Sequence, residues 1–239
     1  MCFGIKVSEK RYLLIPAAGV GERMKIGYPK QYFPIASGKT MLEVTVNRLS
    51  EMGFFDQIAV VVSEQDSYID QCRFAGDVLV LRCGGQTRAQ SVLNGLKAWA
   101  LPDDAWVFVH DAARPCVEKD SVERLIAALE APEIDGAILA LPVTDTLKWV
   151  NSEGIVERTI DRSHCCRAQT PQVFRRGALV AALESAREAV TDEASAMEMQ
   201  GARVKIVEGS AANIKVTYGD DIETVKNFLN AQHSKGQTK

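Results

Sequence analysis

The 239-residue sequence contains no apolar run long enough to cross a bilayer. Its first ten residues, MCFGIKVSEK, hold neither a long apolar core nor an Arg- and Ser-rich pattern, so no leader peptide is expected and the cytoplasm is the expected compartment. An excess of basic residues is also missing. The net charge of −3 argues against non-specific nucleic-acid binding, which needs a basic surface, so any anionic ligand must be met by locally concentrated positive charge. The six cysteines are scattered, and no two are spaced Cys-x-x-Cys, which leaves zinc or dithiol chemistry without support. His164-Cys165-Cys166 does not repair that, because neighbours in an extended segment face opposite ways and no second cluster completes a site. His110, His164 and His233 share no spacing with a Ser or Asp that would make a nucleophilic triad.

Hydrophobic residues make up 46% of the chain and charged residues 25%, which predicts a packed core near the upper size for one domain. Short β-rich runs at 11–16, 57–63, 77–82, 105–110 and 136–142 read as strands buried on both faces of a mostly parallel sheet. Helical spacing separates them, at 41–52, 89–100, 122–129 and 179–186. This alternation predicts a layered α/β fold with helices on both faces. Residues 143–172 break the rhythm; they are polar, partly alternating and carry a turn at 151–154, which predicts a β-hairpin arm. Its apolar residues (Leu147, Trp149, Ile155, Val156, Ile160) need cover, from a second subunit or from the arm's own sheet. Further strands are expected at 203–209 and 213–217, then a last helix with Ile222, Val225 and Leu229 on one side. No repeat or linker is visible, so the reading is one domain plus an arm.

The first strand runs into PAAGVGERMKIGYPKQY, residues 16–32. Met24 stands where a dinucleotide fingerprint has its third glycine, and no Gly-Lys-Ser/Thr follows, so this is neither common phosphate loop. Ala17, Ala18, Gly19 and Gly21 nevertheless leave backbone N–H groups open to an anion, and Arg23 and Lys30 bring a planar donor fork and a point charge. On the loop alone, a phosphate cradle and an ordinary Gly-rich turn with solvated charges are equally supported. Two more polar clusters follow strands: Gly84-Gly85-Gln86-Thr87-Arg88 with Ser91 one turn on, and His110-Asp111-Ala112-Ala113-Arg114. Asp111 suits either a divalent metal or a turn or cap role, and Arg114 suits an anion.

These clusters, with PKQY, GGQTRAQSVLNGL, VHDAARP, DTLK, TIDR, TPQVF, TDEASAME, VEG and NIKVT, occur in an order that resembles the 2-C-methyl-D-erythritol 4-phosphate cytidylyltransferases nearly end to end. The resemblance implies a Rossmann-like three-layer sandwich of the nucleotide-diphospho-sugar transferase type, a homodimer built through the arm, CTP and a polyol phosphate as substrates, and Mg²⁺. It implies that Arg23 and Lys30 stabilise the transition state and that Arg162 and Lys215 position the nucleophilic phosphate. Thr146, Arg114, Asp111 and Thr170 would contact that substrate, some from the partner. Ala17, Ala18, Gly84, Gly85 and Ser91 would contact the nucleotide's base and sugar, with Gly19, Gly21, Arg88 and Ala112 completing the binding set. Neither nucleic acid nor membrane is an expected partner. A fused cyclodiphosphate synthase domain, present in some bifunctional relatives, is not expected. The ribitol-5-phosphate cytidylyltransferases share much of the pattern, though PAAG and TDEASAME are more like the methylerythritol enzymes. An inactive nucleotide-binding scaffold would have shed charged positions, and Arg23, Lys30, Asp111, Arg162 and Lys215 are all present. Two departures stand out: Gln86 where some relatives carry Asp or Thr, and Cys165-Cys166 in place of a Leu-Trp pair.

Overall fold

A computed structural model describes residues 9–19, 27–186 and 190–236, with side chains to 232. Gly21 and Arg23 therefore fall outside the described residues, as does the side chain of His233. The elements run β1 (Arg11–Pro16), β2 (Pro34–Ala36), β3 (Lys39–Thr40), α1 (Met41–Glu51), β4 (Gln57–Val62), β5 (Val78–Arg82), α2 (Arg88–Ala98), β6 (Trp106–Val109), α3 (Lys119–Ala128), β7 (Gly136–Pro142), β8 (Leu147–Val150), β9 (Val156–Ile160), β10 (Cys166–Arg175), α4 (Arg176–Ser185), α5 (Glu193–Met199), β11 (Val204–Glu208) and α6 (Gly219–Gly236).

Seven strands form one sheet in the order β11-β7-β10-β6-β1-β4-β5. All pairings are parallel except those of β10, which runs antiparallel to both β6 and β7. Side-chain alternation divides β1 between two cores. Leu13 and Ile15 pack with Leu42, Val46 and Leu49 of α1 and Val122 and Leu125 of α3. Tyr12 and Leu14 pack with Val92 and Leu96 of α2, Leu179 of α4 and Met197 of α5 on the opposite face. Each fully buried Leu or Ile contributes roughly 1.5–3 kcal/mol relative to exposure, so a strand feeding both layers is fixed in register. The three-layer α/β sandwich expected from the sequence is thus present. A third, smaller cluster seats α6 through Ile222, Val225 and Leu229 against Ile35 and Met41.

Three sequence expectations need correction. The arm is shorter than 143–172: only β8 and β9 pair as an antiparallel hairpin, while β10 is a strand of the central sheet. Residues 170–174 are buried between β6 and β7, because Val173 and Phe174 supply core contacts to opposite faces. Residues 213–217 form no strand; Val216 N–H instead bonds the carbonyl of Ala113 (2.8 Å), which ties this segment down as a loop. Finally, a second helix, α5, follows α4. Among the described residues no helix is long and apolar enough to cross a membrane.

Candidate active site

The strand order reverses around β1: the chain moves outward through β4 and β5, then returns to place β6 on the other side. Ligand crevices in open α/β sheets form at such points, beyond the carboxyl ends of the strands. A cleft of about 270 Å³ lies there, lined by Ala17, Ala18, Gly19, Lys30, Gly85, Arg88, Ser91, Asp111, Ala112 and Lys215 among others. A second space of about 160 Å³ shares Arg88, Asp111 and Lys215 with it and adds Arg114, Gln169 and Thr170.

Local chemistry shapes the walls. Gln31, buried behind the first loop, donates from Nε2 to the Ala17 carbonyl (2.6 Å) and holds that loop in place. Gly84 packs under it: a Cβ at residue 84 would collide with Ala18 Cβ and sit 2.9 Å from the Val62 carbonyl oxygen. Thr87 caps α2 by accepting from the Gln90 N–H. Ser91 accepts from the Gly85 N–H (3.1 Å) and donates to the Thr87 carbonyl (2.9 Å), so its hydroxyl stiffens the loop as well as lining the cleft. Lys30 Nζ donates to the Val216 carbonyl (2.8 Å), which brings the end of the first loop against the segment carrying Lys215.

The charged centre is Asp111. Arg88 Nε reaches its Oδ1 at 2.8 Å, while Lys215 Nζ (2.9 Å) and Arg114 Nε (3.4 Å) share its Oδ2. Burial favours protonation of Asp111, but Arg88, then Lys215 and Arg114, outweigh it and hold the carboxyl well below the usual range. The two terminal nitrogens of Arg88 bond both oxygens of Glu193, at 2.7 and 2.9 Å. Burial would weaken the Arg88 charge, yet Glu193 and Asp111 raise its pKa instead. Thr170 Oγ1 accepts from the Asp111 N–H (3.0 Å) and contacts His110 Nδ1 (3.0 Å), while His110 Nε2 contacts the Arg114 carbonyl (3.1 Å). Burial pushes His110 down to about 4, so it is neutral and has both ring nitrogens engaged.

The described residues do not fit a divalent ion held by the protein. Both oxygens of Asp111 are taken by cations, and among the described residues no group of three acidic, His or Cys side chains gathers. The metal role expected of Asp111 gives way to that of an anion organising three cations.

A family profile described as IspD, 2-C-methyl-D-erythritol 4-phosphate cytidylyltransferase, matches residues 12–231. The chain belongs to this cytidylyltransferase family. Among similar proteins, the 2-C-methyl-D-erythritol 4-phosphate cytidylyltransferase of Chromobacterium violaceum is 46% identical over 223 residues, covering 92% of this chain and 97% of that one. The protein of the same name from Aliivibrio fischeri is 42% identical over 231 residues, 95% of each chain. A crystal structure of a 4-diphosphocytidyl-2C-methyl-D-erythritol synthase superposes with a TM-score of 0.82 at 38% identity, over 93% of this chain and all of the other. The Francisella tularensis cytidylyltransferase gives 0.80 at 37%, over 92% of this chain and all of that one.

Against the family's expected site, Ala17, Ala18, Gly19, Lys30, Gly85, Arg88, Ser91, Asp111, Ala112 and Lys215 meet at one cleft, with Gly84 beneath it and Arg114 and Thr170 beside it. Arg162 and Thr146 are exposed on and beside the hairpin, and neither lines either space. Sequence reasoning gave no role to Glu193, Gln31 or Asn213. The Asn213 carbonyl accepts from Arg114 (2.7 Å), and its Nδ2 donates to the Thr170 carbonyl (2.8 Å). A signal for the Glu193 helix was present in Asp192 and Ser195, which form a capping box.

Proposed function

We infer that the chain transfers CMP from CTP to 2-C-methyl-D-erythritol 4-phosphate, releasing pyrophosphate and forming 4-diphosphocytidyl-2-C-methyl-D-erythritol. The observation that carries the reading is that Lys30 and Lys215, 185 positions apart, line one cleft with bare-backbone loops, in a chain whose family match spans residues 12–231. In the reaction an oxygen of the polyol phosphate attacks the α-phosphorus of CTP. The bond from that phosphorus to the bridging oxygen of the β-phosphate breaks, and pyrophosphate leaves with the electron pair.

A phosphate monoester has a second pKa of about 6, so the nucleophile is largely dianionic at neutral pH and needs no general base. This agrees with His110, which is neutral and bonded at both nitrogens. The obstacle is repulsion between two anions, and the remedy is fixed positive charge and in-line placement. Lys30, with Arg23 from the same loop, is assigned to the charge that grows on the transferring and leaving phosphates. Lys215 is assigned to the incoming phosphate, with Arg162. Ala17, Ala18, Gly84, Gly85 and Ser91 are assigned to the nucleotide, and Asp111, Arg114, Thr146 and Thr170 to the polyol phosphate.

The working unit is proposed to be a homodimer. Trp149, Ile155 and Val156 are 51–59% exposed on the hairpin, and an isolated two-stranded ribbon is marginal in water. Docking on a partner would cover them and bring Arg162 and Thr146 to the neighbour's cleft. The cytoplasm is the proposed compartment, a reading supported by the free thiols Cys72, Cys83, Cys116, Cys165 and Cys166.

The test is pyrophosphate release with CTP and either 2-C-methyl-D-erythritol 4-phosphate or ribitol 5-phosphate. Turnover with the first and at most slow turnover with the second is expected. Preference for ribitol phosphate would move the chain to the sister activity, and silence with both would remove the reading.

A further inference from the structure

Glu193 is completely buried, is a member of neither cleft, and has no part in the reaction as derived above. A buried carboxylate without a partner is strongly unfavourable, so its charge has a local purpose. That purpose is visible in how Arg88 is shared. A guanidinium meeting a carboxylate prefers the two-pronged geometry, with two parallel N–H bonds. Arg88 gives this grip to Glu193, at 2.7 and 2.9 Å, and only its Nε to Asp111 Oδ1, at 2.8 Å. Asp111 Oδ2 is thereby left for Lys215 at 2.9 Å and Arg114 at 3.4 Å. Lys215 is the cation of this group that lines both clefts together with Arg88, where the two phosphates must meet.

The support behind Glu193 is hydrogen-bonded to the central sheet. Gln172 of β10 donates to Asp192 Oδ2 (2.8 Å) and accepts from the Ala194 N–H (2.9 Å), which pins the start of α5 to the central sheet. Asp192 caps the helix by accepting from the Ser195 N–H (2.9 Å). The fork of Arg88 is thus held from the protein side by a helix tied to the central sheet.

We propose that Glu193 is a positioning residue for CMP transfer: by occupying the fork of Arg88 it confines Arg88 to one oxygen of Asp111 and leaves the other to aim Lys215. Without that grip, Arg88 swings both prongs onto Asp111 and displaces the lysine. The proposal rests on the cytidylyltransferase reading of the site.

The test is a double-mutant cycle between Glu193→Gln and Lys215→Ala, read as kcat and KM for both substrates. Glu193→Gln keeps size and polarity but removes the charge. The expected result is a loss of about tenfold in kcat with both KM values held within about twofold. In the Lys215→Ala background the same change should alter kcat by less than about twofold, because the group it aims is gone. Equal losses in both backgrounds, or an unchanged kcat in the single variant, would overturn the proposal. Circular dichroism checks folding; if Glu193→Gln does not fold, Glu193→Asp, which keeps the charge but retracts it, is carried through the same cycle. If neither folds, Glu193 is a stability residue and the proposal falls. Wild-type turnover is measured alongside, so an inactive parent condemns the reading of the site and an active parent with additive losses condemns the positioning role alone.

Discussion

His110 shows how a single side chain can be placed by the site without taking part in its chemistry. In the unfolded chain it gains a proton near its ordinary value of 6.5, whereas burial in the folded chain lowers that to about 4. Between those values the unfolded state binds the extra proton, so stability falls as the pH drops, at roughly 1.4 kcal/mol per pH unit for one proton. Asp111, in line with its depressed pKa, contributes stability above its ordinary 3.8 that is lost on further acidification. Calorimetric melting is therefore expected to fall steadily from pH 6.5 to 4. A His110→Gln variant should start lower but with a shallower slope over that window. An unchanged slope would assign the loss to other groups. Facing His110 are Arg114, Asp111 and Thr170: the Arg114 carbonyl, the Asp111 charge and the Thr170 hydrogen bond favour the protonated ring, the Arg114 charge opposes it, and burial outweighs them all. At this scale Lys30 was legible as a charge in a bare loop and Asp111 as part of a polar cluster after a strand, whereas Lys215 was expected on a strand and drew its role from the resemblance. Glu193 was not, because its meaning depends on Arg88, 105 residues away.

Among elements, β1, β4, β6 and β7 were legible because burial on both faces leaves an unbroken apolar run in the chain, whereas β5, also expected to be buried on both faces, is an edge strand and only partly covered, as is β11 at the other edge. β5 starts one residue later and α2 one residue earlier than their sequence patterns. β10 was not separable from the arm, because its antiparallel insertion is settled by β6 and β7, which local periodicity does not register. The glycines after β5 were legible as part of a polar cluster following a strand, but what the structure shows of Gly84 is closeness of packing. Gly84 lets the loop after β5 lie against Ala18, and its own N–H bonds the Val62 carbonyl at 2.8 Å. Gly84→Ala should lower stability by ~1–3 kcal/mol in denaturant melts, the usual scale for overpacking. It should also raise KM for CTP more than it lowers kcat, because the loop that is pushed aside is the one assigned to the nucleotide. A variant with normal KM would show that the first loop tolerates the shift.

For the whole molecule, the sequence carried the layered architecture and a hairpin within 143–172, whose β8 and β9 pair with each other outside the central sheet. The roles expected of Arg162 and Thr146 rest on resemblance alone, and within one chain neither lines either cleft. Two complementary defects test the shared site. Lys30→Ala and Arg162→Ala should each lower kcat by ~10²–10³, the scale for one preorganised charge. Mixed and allowed to exchange subunits, they should recover part of the activity, since a mixed dimer holds one site with both residues intact. Confirmed exchange without recovery would confine each site to a single chain.

The hairpin leaves the sheet from β7 and re-enters as β10, the strand that carries Thr170 and Gln172 to Asp111 and α5. The hairpin and the charged centre therefore hang from one girder. Were the hairpin to dock on a second copy as proposed, a load applied at its tip would be delivered to the props of the charged centre, and prying it loose would disturb Thr170 and Gln172 at the root.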